Sequence, residues 1–292
     1  LLCTTAVFAG FGKELKGLSY GFDKAVAARM FRYTMPLLLL SLVGILNQVA
    51  DKILFPYLMP GEEGKVQLGI YGACVKIAMI MSLLTQAFRY AYEPIVFSSS
   101  RERNSPETLA DGMKYFIVFA LLAFLAVMFY LPLLRHLVQP GYWEGLSVIP
   151  IVMLAEIFMG IYFNLSFWYK LSDQTWWGAL MSLSGAIVMI AINIAFVPRY
   201  GYTACAWGGF AGYGTAMLMS YLIGRKRYPV RYDAPLILRF VLLAALLYAA
   251  VMLPSRFMEQ FSPIGTVLAG TLALVAYAGY AYLKLIRRKP NN

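Results

Sequence analysis

Residues 68–97 read LGIYGACVKIAMIMSLLTQAFRYAYEPIVF, an apolar run of 30 residues whose only charged side chains are Lys76, Arg89 and Glu93. About 20 residues of helix cross the hydrocarbon core of a bilayer, so this run is long enough to cross with a tilt or a bend. Seven more runs of spanning length surround it: Tyr33–Met59, Lys114–Leu134, Leu146–Leu171, Trp176–Val197, Gly201–Gly224, Pro235–Leu253 and Pro263–Ile286. The sequence therefore predicts an all-α polytopic membrane protein of about eight transmembrane helices. Pro36, Pro94, Pro132, Pro150 and Pro198 mark span ends or kinks. Trp143, Trp168, Trp176 and Trp177 lie near span ends, as interfacial aromatics do.

Composition agrees. The chain is 61% hydrophobic and 13% charged, with a mean hydropathy of +0.67, whereas soluble domains are near half apolar and a quarter charged. A net charge of +11 could suggest nucleic acid. The basic residues, however, fall in short islands between apolar runs rather than along one soluble face, so no nucleic-acid partner is expected. Cys3, Cys74 and Cys205 sit in apolar segments with no metal-ligand or disulfide spacing. No phosphate loop, nucleophile elbow or Ser/His/Asp set occurs, and neither an enzyme nor a metal or organic cofactor is predicted.

Alternate loops differ in charge. One set holds Lys13, Lys16, Lys24, Arg29, Arg32, Arg101, Arg103, Lys114, Lys170, Arg225, Lys226, Arg227, Arg231, Arg239, Lys284, Arg287, Arg288 and Lys289. The other holds Lys65, Arg135, Arg199 and Arg256. Eighteen against four predicts that the first set is cytoplasmic, which places both ends inside and requires an even number of spans. The expected location is the cytoplasmic (cell inner) membrane.

Three of the 25 basic residues, Lys52, Lys76 and Arg89, fall within spans. Intramembrane charges are costly and usually face a cavity or a partner. Ser41, Gly44, Gln48 and Asp51 recur at helical spacing in the first span; Ser82, Gln86, Arg89 and Glu93 do so in the second, and Glu156, Gly160 and Asn164 in the fourth. Asp51 and Lys76 lie at similar depth and are expected to pair across neighbouring helices, while Arg89 and Glu93 are expected to pair along one helix. Such pairs could serve packing alone. Continuous stripes with Ser, Thr, Gln and Asn favour a hydrated cavity instead. Lys52, Lys76 and Arg89 would make that cavity attractive to an anion, with Gln86, Glu93 and Asn164 among its lining. Asp51 and Glu156 are candidates for Na⁺ or H⁺ coupling. Gly201, Cys205, Gly208, Gly209 and Gly212 form a small-residue face that permits close helix approach.

The run Gln86-Ala87-Phe88-Arg89-Tyr90-Ala91-Tyr92-Glu93-Pro94, with Tyr71-Gly72-Ala73-Cys74-Val75-Lys76 before it, resembles the second-lobe start of bacterial polysaccharide-unit flippases of the multidrug/oligosaccharidyl-lipid/polysaccharide exporter superfamily. Asp51-Lys52, Asn164-Leu165-Ser166-Phe167-Trp168-Tyr169-Lys170 and Pro198-Arg199-Tyr200-Gly201-Tyr202 extend the resemblance over nearly the whole chain. Ala204-Cys205-Ala206 stands where the family usually has Gly-Ala-Ala, and keeps the residues small.

The resemblance implies two six-helix lobes around a central cavity, often with two extra C-terminal helices. Residues 33–224 would be the second lobe, 225–292 the extra pair, and 1–32 the end of a preceding helix plus a basic cytoplasmic linker. Leu1–Phe11 reads as the tail of an earlier apolar segment, so an N-terminally truncated chain lacking its first lobe is expected. The implied activity is flipping of a lipid-pyrophosphate-linked oligosaccharide for surface polysaccharide (lipopolysaccharide or exopolysaccharide) export. The implied partners are that lipid-linked glycan, membrane lipids, the missing lobe and the polysaccharide assembly machinery. A cation-coupled drug exporter of the same superfamily is an alternative, disfavoured by three basic residues. A membrane glycan polymerase or ligase is another, disfavoured by short outer loops.

Overall fold

The computed structural model describes residues 23–99, 105–257 and 263–285. The expected tail Leu1–Phe11 with Cys3, most of the linker, and the basic residues Lys13, Lys16, Arg101, Arg103, Arg287, Arg288 and Lys289 lie outside these residues.

Eight long helices follow one another: α1 (Lys24–Leu58), α2 (Glu62–Ser99), α3 (Ser105–Phe129), α4 (Ile149–Leu165), α5 (Trp176–Tyr200), α6 (Tyr202–Arg227), α7 (Ala234–Phe257) and α8 (Pro263–Leu285). Short helical turns at Leu131–Leu134, Arg135–Leu137 and Pro140–Val148 lead into α4, and Phe167–Leu171 continues it after a break at Ser166. No strand occurs among the described residues. The chain is an all-α polytopic membrane protein. Among the described residues, seven helical segments are long and apolar enough to cross a bilayer. The eighth, α6, has the length, 26 residues, but its five glycines and terminal Arg225-Lys226-Arg227 make it less apolar. Packing between α4 and α5 shields the exposed peptide groups that glycines leave.

α1 starts nine residues ahead of the predicted Tyr33. Asp23 caps it, its Oδ1 accepting the N–H groups of Ala25 (2.8 Å) and Val26 (3.3 Å). The alanine-rich first turns carry no helix breaker. The expected linker is therefore helical from Lys24 onward. The gap between the first two predicted spans, residues 60–67, shrinks likewise, because α2 begins at Glu62.

α5 and α6 make the most extensive helix pair. Gly201 turns the chain between them at φ 55°, a backbone that favours glycine. A Cβ on Gly185 would lie 2.6 Å from the Gly212 carbonyl oxygen, and one on Gly212 would lie 2.8 Å from that of Gly185. The small-residue face of α6 thus meets α5 at backbone contact, as its composition predicted. α4 lies against α6 with the Phe158 and Phe210 rings 4.9 Å apart. α1 rests on α5, where Asn47 Nδ2 donates to the Ser182 carbonyl at 3.5 Å. α7 and α8 pack on α3, with Tyr277 Oη donating to the Val118 carbonyl at 3.3 Å.

α1 and α2 touch each other far less than α1 touches α5 or α2 touches α3 and α4. A seam therefore runs between them, and the polar faces of both helices border it. Lys24, Lys114, Lys170, Arg225 and Arg231 share one end of the bundle, called the basic end below.

Candidate functional site

Two hollows lie along this seam. The first, about 260 Å³, is remote from the basic end and is lined by Asn47, Gln48, Asp51, Lys52, Tyr71, Ser82, Glu156, Cys205 and Tyr213 among others. The second, about 420 Å³, lies toward the basic end and is lined by Tyr33, Ser41, Gly44, Gln48, Arg89, Glu93, Ser166, Lys170 and Ser182 among others. Gln48 borders both. On α1 the lining positions 33, 37, 41, 44, 48 and 51 recur every 3.6 residues, so one face of the helix follows the track from end to end, with Ile45, Asn47, Val49 and Lys52 on its flanks. From Tyr33 to Lys52 that face rises about 28 Å, close to the roughly 30 Å hydrocarbon core.

In the first hollow Asp51 is buried at 7% exposure. Its carboxylate accepts from the Tyr71 hydroxyl at 2.8 Å and from Lys52 Nζ at 3.2 Å. Lys52 Nζ also donates to the Gln48 carbonyl at 3.1 Å and lies 5.6 Å from the Tyr71 ring centre. Asp51 therefore finds its cation on its own helix rather than in Lys76. Glu156 borders the same hollow from α4.

In the second hollow Glu93 joins two cations. Its Oε2 lies 3.9 Å from Arg89 Nε, and its Oε1 accepts from Lys170 Nζ at 3.2 Å. The Arg89–Glu93 pair is the one the spacing predicted. Lys170 was counted among the loop charges. Ser166 keeps helical angles (φ -63°, ψ -20°), so the short helix continues α4 in phase, and Met159, Tyr162, Phe163, Ser166 and Lys170 line the hollow from one face. That helical spacing was the sequence signal for Lys170, masked by its position at the very end of an apolar run, where loop and lining residues look alike. Arg89 stacks over Phe163 at 5.1 Å and Tyr90 at 5.2 Å, which fixes its plane.

The remaining predicted site residues lie elsewhere. Lys76 and Gln86 are exposed and line neither hollow. At 100° per residue Lys76 sits about 120° round α2 from Ser82, outside the arc that faces the seam. Asn164 is buried, donates from Nδ2 to the Gly160 carbonyl of its own helix at 3.0 Å, and borders a small cleft with Thr85 and Arg89. Gly160 faces Phe116 of α3, where an added Cβ would collide with the ring. The Glu156, Gly160 and Asn164 stripe is thus divided between the hollow and the α2–α3 contact. Tyr71 and Lys170 join the site without having been singled out.

No family model matches this sequence, and no curated protein does. The site therefore has to be read from its own chemistry. It offers three cations, Lys52, Arg89 and Lys170, and three carboxylates, Asp51, Glu93 and Glu156, on one polar track through an apolar bundle. Such a track can replace the solvation of a polar or charged group that travels along it, because every charge already has polar neighbours.

Proposed function

We propose that the chain carries a lipid-pyrophosphate-linked oligosaccharide across the cytoplasmic membrane, for surface polysaccharide export. The observation that carries this reading is the pair of hollows meeting at Gln48 on one face of α1. The head group is the physical obstacle. Each unpaired hydroxyl moved into hydrocarbon costs a few kcal/mol, roughly 4–8 on the least forgiving scale, and ionised phosphates cost far more. A polar track about as long as the membrane is thick supplies substitute partners at every depth. The sparse α1–α2 contact supports a lipid-linked cargo in particular, since its tail can stay in the bilayer while the head follows the track.

In this reading Arg89 and Lys170 receive the pyrophosphate at the basic end, which faces the cytoplasm, and Lys52 receives it in the second position. The planar fork of Arg89 suits phosphate oxygens, while the lysines act as point charges. Asp51 and Glu156, beside Lys52, are the positions for a coupling Na⁺ or H⁺. Helices α1–α6 act as one lobe against a second lobe that closes the seam, and rocking between the two alternates access.

The test is reconstitution of the full-length protein in vesicles with a lipid-pyrophosphate-linked oligosaccharide. Translocation is read as glycan that becomes accessible to an impermeant lectin. Arg89→Gln with Lys170→Gln is expected to slow it at least about tenfold, the effect of a loss near 1.4 kcal/mol, with the protein still folded. Unchanged translocation in that variant would sink the assignment.

A further inference from the structure

We propose that a third hollow, at the basic end between α4, α6 and the segment that leads from α6 into α7, binds the phosphodiester head group of an anionic membrane lipid. It has a volume of about 360 Å³, within the range of small-molecule sites. Its floor is built. Trp168 and Ser220 are 3% and 0% exposed, and Trp168 Nε1 donates to Ser220 Oγ at 3.2 Å. Gly224 lets the indole press against α6, since a Cβ there would lie 2.9 Å from Trp168 Cδ1. The segment between α6 and α7 forms the far wall. It is held by N–H bonds from Tyr232 to the Val230 carbonyl at 3.2 Å and from Ala234 to the Tyr232 carbonyl at 2.8 Å. The Tyr232 ring stands 6.4 Å from that of Tyr221.

Arg225 and Arg231 stand on the rim, exposed. Among the described residues neither is held in an ion pair, whereas Lys65, Lys114 and Lys170 each are. Two unengaged guanidiniums above an aromatic floor suit a phosphate with an apolar body below it. Arg225 lies in the last turn of α6, so the rim sits at head-group depth, where tyrosines also belong. Burial, then the neighbouring Tyr221 and Tyr228, pushes the Tyr232 hydroxyl up, keeping it a proton donor beside an anion. Arg231 also borders an adjacent hollow with Glu107, Asp111 and Asp233, which leaves Arg225 as the arginine committed to this one. Basic pockets between transmembrane helices on such a face take anionic lipid head groups. A lipid seated here would join α6 to the segment that leads into α7.

The experiment titrates the purified full chain in neutral detergent with short-chain phosphatidylglycerol and follows tryptophan fluorescence, to which Trp168 in the floor contributes. Two double variants remove equal charge from the same end: Arg225→Gln with Arg231→Gln, and Lys226→Gln with Arg239→Gln. The proposal expects saturable binding by the unaltered chain and by the second variant with like affinity, and weakening of about tenfold or more in the first. Equal weakening in both would mean diffuse attraction to a basic face and would overturn the site. So would equal affinity in all three. Displacement of the lipid by inorganic phosphate at the same concentration would overturn the lipid as the ligand.

Discussion

Lys170 Nζ donates to Glu93 Oε1 at 3.2 Å across 77 residues of chain, joining α2 to the short helix that follows α4. Glu93 reaches Arg89 as well, at 3.9 Å, so one carboxylate serves two cations beside the larger hollow. Replacing it with Gln leaves both cations facing each other without their anion. Glu93→Gln is expected to lower stability by about 1 kcal/mol, a modest figure because all three groups keep some solvent. Adding Lys170→Met should recover part of the loss. A double-mutant cycle on thermal unfolding in detergent checks this, and additive losses would mean that the pair is not coupled.

The Tyr71–Asp51 hydrogen bond is more buried. Tyr71→Phe removes a neutral donor from an ionised acceptor and is expected to cost about 1.5–3 kcal/mol. The cost should vanish in an Asp51→Asn background if the amide can turn its own donor inward. Unfolding midpoints of the two single variants and the double variant measure it.

The α5–α6 contact gives a sharper contrast. Gly212→Leu places a side chain where a Cβ alone would already meet the Gly185 carbonyl at 2.8 Å. A loss of more than about 3 kcal/mol is expected, at the upper end of overpacking effects, and should appear as failure to accumulate in the membrane. Gly209→Ala on the same helix has nothing within 4 Å of the added carbon and should accumulate normally. Similar outcomes for the two would mean that α5 and α6 are not packed at backbone distance.

Much of this was legible in the sequence, for a physical reason. A run of about 20 apolar residues states its fate without reference to any neighbour, so all eight long helices were found. The α1 stripe was also legible, because Ser41, Gly44, Gln48 and Asp51 keep step with the helix and all four line the track. On α2 the period was right, and Ser82, Arg89 and Glu93 face the hollows. Gln86 shares their arc but falls between the two hollows along the helix axis, and Lys76 lies off the arc. Where along a stripe a hollow opens depends on how the neighbouring helices pack, and one helix's sequence does not carry that. Asp51 was assigned a partner on another helix because depth alone cannot show that the adjacent Lys52 curls back. Lys170 was counted with the loop charges because it stands at the end of an apolar run, although it keeps helical step with Phe163 and Ser166.

The central claim is that one face of α1 carries a hydrated track and the opposite face meets lipid. It can be tested in a background with the three native cysteines replaced, by placing single cysteines at Ser41, Gly44 and Gln48, and at Leu39 and Leu46. Leu39 and Leu46 are 38% and 47% exposed, and Ser41 and Gln48 are exposed too, so exposure alone does not separate the two sets. In native membranes a water-soluble maleimide should modify the first three and spare the last two, since only hydrated thiols ionise and react. Equal labelling of the two sets, or labelling of neither, would contradict a polar track along α1.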